Sequence, residues 1–163
     1  MKILQLIRHA KSARDLPVDD FYRPLNQRGI YDALTIGQWL KENSIMDGKI
    51  YCSPSLRTVS TACILSRVTG WNMNEIVWEK RIYEASADDL IEIITQTDNH
   101  HQTITIIGHN PSLHDLIELL IHAGWVKFPT CAVAIISFEN ARSWIDIFKT
   151  QGVLIKKVFP KNL

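Results

Sequence analysis

The chain of 163 residues has little of what specialised folds need. It carries three cysteines, Cys52, Cys63 and Cys131, an odd and widely spaced set that excludes a disulfide scaffold and matches no zinc-binding spacing. Excess charge of either sign is lacking as well. Eighteen Lys plus Arg face 17 Asp plus Glu, a net charge of +1 that argues against a globally basic nucleic-acid binder. No apolar run approaches the roughly 18 residues of a membrane span. The apolar start from Met1 to Ile7 is too short for a signal peptide and lacks a small-residue cleavage site. These absences predict a soluble, cytoplasmic protein with no membrane and no nucleic-acid partner. The phosphate-loop, GxGxxG and HExxH patterns are all missing, which removes the commonest nucleotide, dinucleotide and zinc-hydrolase readings.

What is present is a chain 46% hydrophobic, enough to build one substantial core without staples. Apolar runs alternate with helix-period segments. Strands are predicted at 3–7, 49–52, 75–78 and 103–107. Helices are predicted over 28–43 with Asn26 as cap, from Ser53-Pro54 to about Val68, from Ser86 to about Gln96 with a capping-box start, and from Asn110-Pro111 to about His122. Near the end, 131–138 and 143–148 read as a hairpin, with a third strand possible at 153–158. Loops are short except for 13–25, whose Pro17 to Asp20 stretch reads as a surface loop near a ligand entrance. Parallel strands need crossover connections, so the alternation predicts one α/β domain over 1–163, three layers around a mostly parallel central sheet.

In such sheets ligands bind beyond the carboxyl ends of the strands. Three of those ends carry Arg8-His9, Ser53-Pro54 with Arg57 one turn later, and Gly108-His109-Asn110. Arg23 and Lys11 supply further cations, and the Ser53 and Asn110 helix starts could direct N–H groups at an anion. Two histidines and several arginines at converging strand ends suit a phosphate-sized anion. By contrast, His114 and His122 read as helix-face residues, His100-His101 as a solvated pair, and Trp39, Trp71, Trp78, Trp125 and Trp144 as packing residues. Cys52 and Arg57 are separated by one residue fewer than the loop of a cysteine phosphatase requires.

These motifs resemble the histidine phosphatase superfamily, the phosphoglycerate mutase-like proteins. Leu6-Ile7-Arg8-His9-Ala10-Lys11-Ser12 is similar to its Arg-His-Gly signature, Cys52-Ser53-Pro54-Ser55-Leu56-Arg57-Thr58 to its second arginine motif, and Ile107-Gly108-His109-Asn110 to its second histidine. Ala10, the short length and Arg23-Pro24-Leu25-Asn26-Gln27-Arg28-Gly29 resemble most closely the SixA-type phosphohistidine phosphatases. Mutase-like members carry an insertion after the second motif, whereas here only about two dozen residues separate Arg57 from Arg81. The resemblance implies that His9 attacks phosphorus through Nε2 and that Arg8, Arg23, Arg57 and protonated His109 hold the phosphoryl oxygens. Arg81-Ile82-Tyr83-Glu84 is similar to the segment that carries a catalytic acid in many relatives, which makes Glu84 a candidate acid. No cofactor and no metal is implied. The expected substrate is a phosphorylated protein such as a histidine phosphotransfer domain, in signal transduction. The alternatives are a small phosphoester, or binding of a phosphorylated ligand without turnover.

Overall fold

The computed structural model describes residues 1–43, 48–122, 124 and 126–163. Trp125, expected to pack, lies outside them. Six strands form one sheet: β1 (Lys2–Arg8), β2 (Lys49–Cys52), β3 (Val77–Trp78), β4 (Thr103–Gly108), β5 (Val133–Phe138) and β6 (Val153–Val158), in the order β3-β2-β4-β1-β5-β6. The first four in that order run parallel; β5 runs antiparallel to β1, and β6 antiparallel to β5. Helices α1 (Gln27–Glu42) and α2 (Leu56–Thr69) lie against one face, α3 (Ala87–Gln96) and α4 (Ser112–Ile121) against the other.

The layering follows from strand periodicity. Leu4 and Leu6 of β1, with Ile104 and Ile106 of β4, pack on Leu90, Ile93, Leu113 and Leu116, while Ile7 and Ile107 pack on Ala33, Ile36, Ala62 and Leu65. Both faces of the central strands are covered, so β1 and β4 are buried nearly throughout, and their inward polar side chains pair with each other, Thr105 donating to Gln5 at 3.1 Å. The helix starts are chemically specified. The Asn26 side chain accepts from the Gly29 N–H at 2.8 Å, and Ser86 with Asp89 completes a capping box.

Several expectations shift. Helix α2 begins at Leu56, with Ser55 rather than Ser53 in the N-cap position and without a side-chain cap; the Ser53 hydroxyl instead meets His109 Nε2. Helix α4 begins at Ser112, after a cis Asn110–Pro111 peptide. The 75–78 strand shrinks to Val77–Trp78, since Met73–Glu75 forms a 3-10 turn under an Asn72 cap. The expected strand at 143–148 is instead a 3-10 turn at Ile145–Phe148. The Asp146 carboxylate accepts from the Arg142 and Ser143 N–H groups, which curls the chain and buries Trp144 and Ile147 three residues apart. The hairpin partner of β5 is therefore β6. Of the tryptophans expected to pack, Trp71 and Trp144 are buried and Trp78 is exposed.

One close approach ties the fold to the site. A Cβ on buried Gly29, in the first turn of α1, would sit 2.0 Å from the Lys11 carbonyl oxygen, just past β1. Gly29→Ala is therefore expected to lower stability by about 1–3 kcal/mol, overpacking outweighing the better helix propensity of alanine. Urea titration reads this; an equal or higher midpoint would show that the 10–13 segment gives way freely.

Candidate active site

Strand register assembles the centre. Arg8 of β1 is the lateral partner of Gly108 of β4, so His9 and His109, the next residue on each chain, leave the sheet side by side. Backbone hydrogen bonds extend the alignment: His9 N–H donates to the Gly108 carbonyl and Ser53 N–H to the Ile107 carbonyl, both at 3.0 Å. The imidazole centroids stand 5.2 Å apart. On the far side the Cys131 N–H donates to the His9 carbonyl, laying the 129–131 turn beside the pair.

The tautomers follow from the partners. His9 Nδ1 lies 2.7 Å from the Ala10 carbonyl, which can only accept, so Nδ1 carries the proton and Nε2 presents a bare lone pair. His109 Nδ1 lies 3.4 Å from Arg57 Nη2, which can only donate, so its proton sits on Nε2 and is donated to the Ser53 hydroxyl at 2.8 Å.

Arg57, buried in the first turn of α2, is held by a carboxylate the sequence did not single out. Its Nη1 donates to the Asp20 carbonyl at 2.7 Å and its Nη2 to Asp20 Oδ2 at 3.0 Å. Asp20 Oδ1 accepts from Arg23 Nε, and Oδ2 also accepts from the Tyr83 hydroxyl. Loop 13–25 can deliver this group because it closes on itself, Ser12 bridging Leu25 and Ala13 N–H donating to the Pro24 carbonyl. Partial burial acts to raise the Asp20 pKa, but the Tyr83 hydrogen bond, Arg57 and Arg23 outweigh it and hold the carboxyl below its usual range. Arg8 donates from Nη1 to the Phe128 carbonyl at 3.0 Å, which also accepts from Asn110 Nδ2. Among the described residues the buried Nε groups of Arg8 and Arg57 have no partner.

Electrostatically the centre is set against protonated imidazole. Burial first, then the Arg57, Arg8 and Arg23 charges, overcome the Ala10 hydrogen bond and pull the His9 pKa down to about 4. Burial, His9 and Arg57 pull His109 to about 3. The protein's own groups therefore hold both rings neutral at pH 7. The linkage has a definite sign. Unfolded imidazoles protonate near pH 6.5 and the folded ones only near 4 and 3, so the unfolded state takes up more protons in that window and stability falls with pH. At pH 5, above the ordinary carboxylate range, each ring would cost about 2 kcal/mol relative to pH 7.5. Urea midpoints at the two pH values test this; equal midpoints would mean that the rings protonate freely in the folded protein.

The resulting cavity of about 400 Å³ is lined by Arg8, His9, Arg23, Arg57, His109 and Asn110, and by exposed Lys11, Arg14, Arg28 and Lys161. The sequence-predicted Arg8, Arg23, Arg57, His9 and His109 thus come together. Glu84 does not join them: it is exposed, at φ 58°, and lines no part of the cavity. The α2 start contributes Arg57 to the lining, and Ser53, Pro54, Ser55 and Leu56 do not line it. Cys52 is buried, its thiol pushed well up by that burial and donating to the Ser53 carbonyl, which removes it as a thiolate. Among the described residues no cluster of three His, Cys, Asp or Glu side chains is placed to hold a metal ion.

A three-layer α/β domain with paired imidazoles and converging guanidinium groups at its strand ends defines a phosphoryl-handling protein. The model of the histidine phosphatase superfamily, branch 1, matches residues 4–102, more than half of the chain, and the chain belongs to that superfamily. Membership supports a phosphatase. An uncharacterised protein of Mycobacterium tuberculosis is 29% identical over 151 residues, covering 86% of this chain and 91% of that protein. The protein histidine phosphatase SixA, solved with tungstate, superimposes with a TM-score of 0.83 at 18% identity, covering 98% of both chains. An Agrobacterium tumefaciens protein assigned to SixA gives 0.82 at 24% identity, over 96% of this chain and 97% of that one. At these identities the likeness shows the phosphoglycerate mutase-like fold.

Among the described residues no helix is long and apolar enough to cross a membrane.

Proposed function

We propose that the chain hydrolyses phosphohistidine presented by a protein, by way of a phosphohistidine formed on its own His9. Neutral His9 attacks phosphorus in line through its bare Nε2. A bond from Nε2 to phosphorus forms as the bond to the substrate imidazole breaks, and the substrate ring, protonated beforehand by solvent on its other nitrogen, leaves as neutral imidazole. Water then attacks the His9 phosphoramidate, giving inorganic phosphate and free His9. Arg8, Arg57 and Arg23 hold the equatorial oxygens; His109 stands beside them as a neutral ring and joins them only by turning its one N–H from the Ser53 hydroxyl to the phosphoryl group. Guanidinium groups supply the positive charge that a divalent metal supplies elsewhere, so the reaction needs no metal. The three free thiols suit a reducing compartment such as the cytoplasm.

The observation that carries this reading is a nucleophile without a proton donor. Among the described residues no Asp or Glu lines the cavity, and Asp20 beside it is held ionised by Tyr83, Arg57 and Arg23. An imidazole leaves readily near neutral pH, because its reference pKa is about 6.5. An alkoxide leaves poorly unless a positioned acid contributes its typical about 10²–10⁴-fold.

The test compares kcat/KM for a phosphohistidine protein and for a panel of alkyl phosphates, with trapping of the phosphoenzyme. Phosphohistidine should be favoured by about 100-fold or more, through an acid-labile phosphoenzyme. Preference for an alkyl ester would make the small-molecule phosphatase the better account, and a bound phospho-ligand without turnover would make the chain a binding module. Chelation should leave turnover unchanged; a loss restored by a divalent cation would overturn the metal-free mechanism.

A further inference from the structure

The cavity holds more positive charge than one phosphoryl group uses. Arg8, Arg23 and Arg57 serve the phosphoryl oxygens in the reading above. Four more cations, Lys11, Arg14, Arg28 and Lys161, line the same cavity and are exposed at its mouth. Among the described residues no carboxylate pairs with Lys11, Arg14 or Lys161. Arg28 meets Asp32 at 3.6 Å. In a chain of net charge +1 this concentration is local, and like charges gathered around one opening repel unless an anion joins them.

Their placement is built. Lys11 and Arg14 follow β1, Arg28 stands in the first turn of α1, and Lys161 lies in the 3-10 turn Pro160–Asn162. The Asn26 N–H donates to the Lys11 carbonyl and Gly29 packs on the Lys11 backbone, which fixes the loop against the start of α1. A smaller cavity of about 80 Å³ adjoins the first and shares Arg28, Pro129, Thr130 and Lys161 with it. The cations are thus spread over a loop, a helix start and the 3-10 turn Pro160–Asn162, around a cavity of about 400 Å³, more space than one phosphoryl group fills. That spread suits several separate carboxylates better than one compact second phosphate.

We infer that Lys11, Arg14, Arg28 and Lys161 form a docking rim for acidic side chains that flank the phosphohistidine on a partner protein. The inference rests on the phosphohistidine reading and adds the character of the partner surface. Exposed ion pairs each contribute little to a formed complex, and rim charges act mainly on the rate of encounter. The rim therefore acts on kcat/KM, in a salt-dependent way, and leaves kcat alone.

Two phosphohistidine peptides of equal length, one with flanking aspartates and one with asparagines, provide the test. Wild type should favour the aspartate peptide by about tenfold in kcat/KM at low salt, with the preference fading as ionic strength rises and kcat equal for both. The double variant Arg14→Gln, Lys161→Gln should lose most of the preference while turning over the asparagine peptide as wild type does. Absence of a preference in wild type would overturn the inference without any variant. Equal losses on both peptides in the double variant would also overturn it, by showing that these groups shape the phosphoryl site. If wild type hydrolyses phosphoesters and neither peptide, the phosphohistidine reading itself fails, and that result is visible before any substitution is made.

Discussion

Replacing His9 by alanine is expected to abolish the phosphoenzyme and to lower kcat by roughly 10⁴–10⁶-fold, the scale on which enzymes respond to loss of a nucleophile. No neighbour can take its place. His109 is the other buried imidazole in the cavity, and its Nδ1 faces the Arg57 guanidinium while its Nε2 proton is donated to Ser53. The fold should survive, because the side-chain hydrogen bond that is lost runs only to the carbonyl of the next residue, Ala10. Rapid quenching with labelled phosphohistidine substrate reads the intermediate directly. Trapping label on the mutant at the wild-type level would remove His9 from the role.

Arg57→Ala should lower kcat/KM by about 10²–10³-fold, as removal of one preorganised donor costs about 3–4 kcal/mol of transition-state stabilisation. Lysine is a poor substitute, since the fork that spans the Asp20 carbonyl and carboxylate needs two nitrogens in one plane. The same substitution has an electrostatic signature. The Arg57 charge lowers both the His9 and the His109 pKa, so its removal should raise both and soften the loss of stability between pH 7.5 and pH 5. NMR titration of the two rings in wild type and mutant checks the direction. Unmoved imidazoles together with near-wild-type turnover would place Arg57 outside the phosphoryl site.

Asp20 links the two arginines to the loop that covers them. It neutralises part of the charge of Arg57 and Arg23 while orienting both, and it connects them to Tyr83, which follows β3 in the chain. A phosphoryl group meets guanidinium groups already aligned by a carboxylate, which lessens the reorganisation required on binding.

The sequence by itself determined the strands, the helices that separate them and the residues at the strand ends, because those signals are local. The apolar run Ile3 to Ile7, the β-branched run Thr103 to Ile107, the Asn26 cap and the Ser86–Asp89 box all depend on residues a few positions apart. Where local pattern was ambiguous it misled, as at 143–148, where Asp146 captured two backbone N–H groups and made a turn of what reads as a strand. Only the tertiary structure decided the rest. The meeting of His9 with His109 depends on the β1–β4 register across 100 residues, and the Asp20–Arg57 clasp on the closure of loop 13–25. The neutral state of both imidazoles comes from burial and neighbouring charge rather than residue type. Lys161 reaches the cavity mouth from the far end of the chain, while Glu84, in a promising motif, stays outside the cavity at a left-handed backbone position. Short-range sequence pattern records each residue's neighbours along the chain. Reactivity is set by neighbours in space, and those are chosen by sheet register and loop closure.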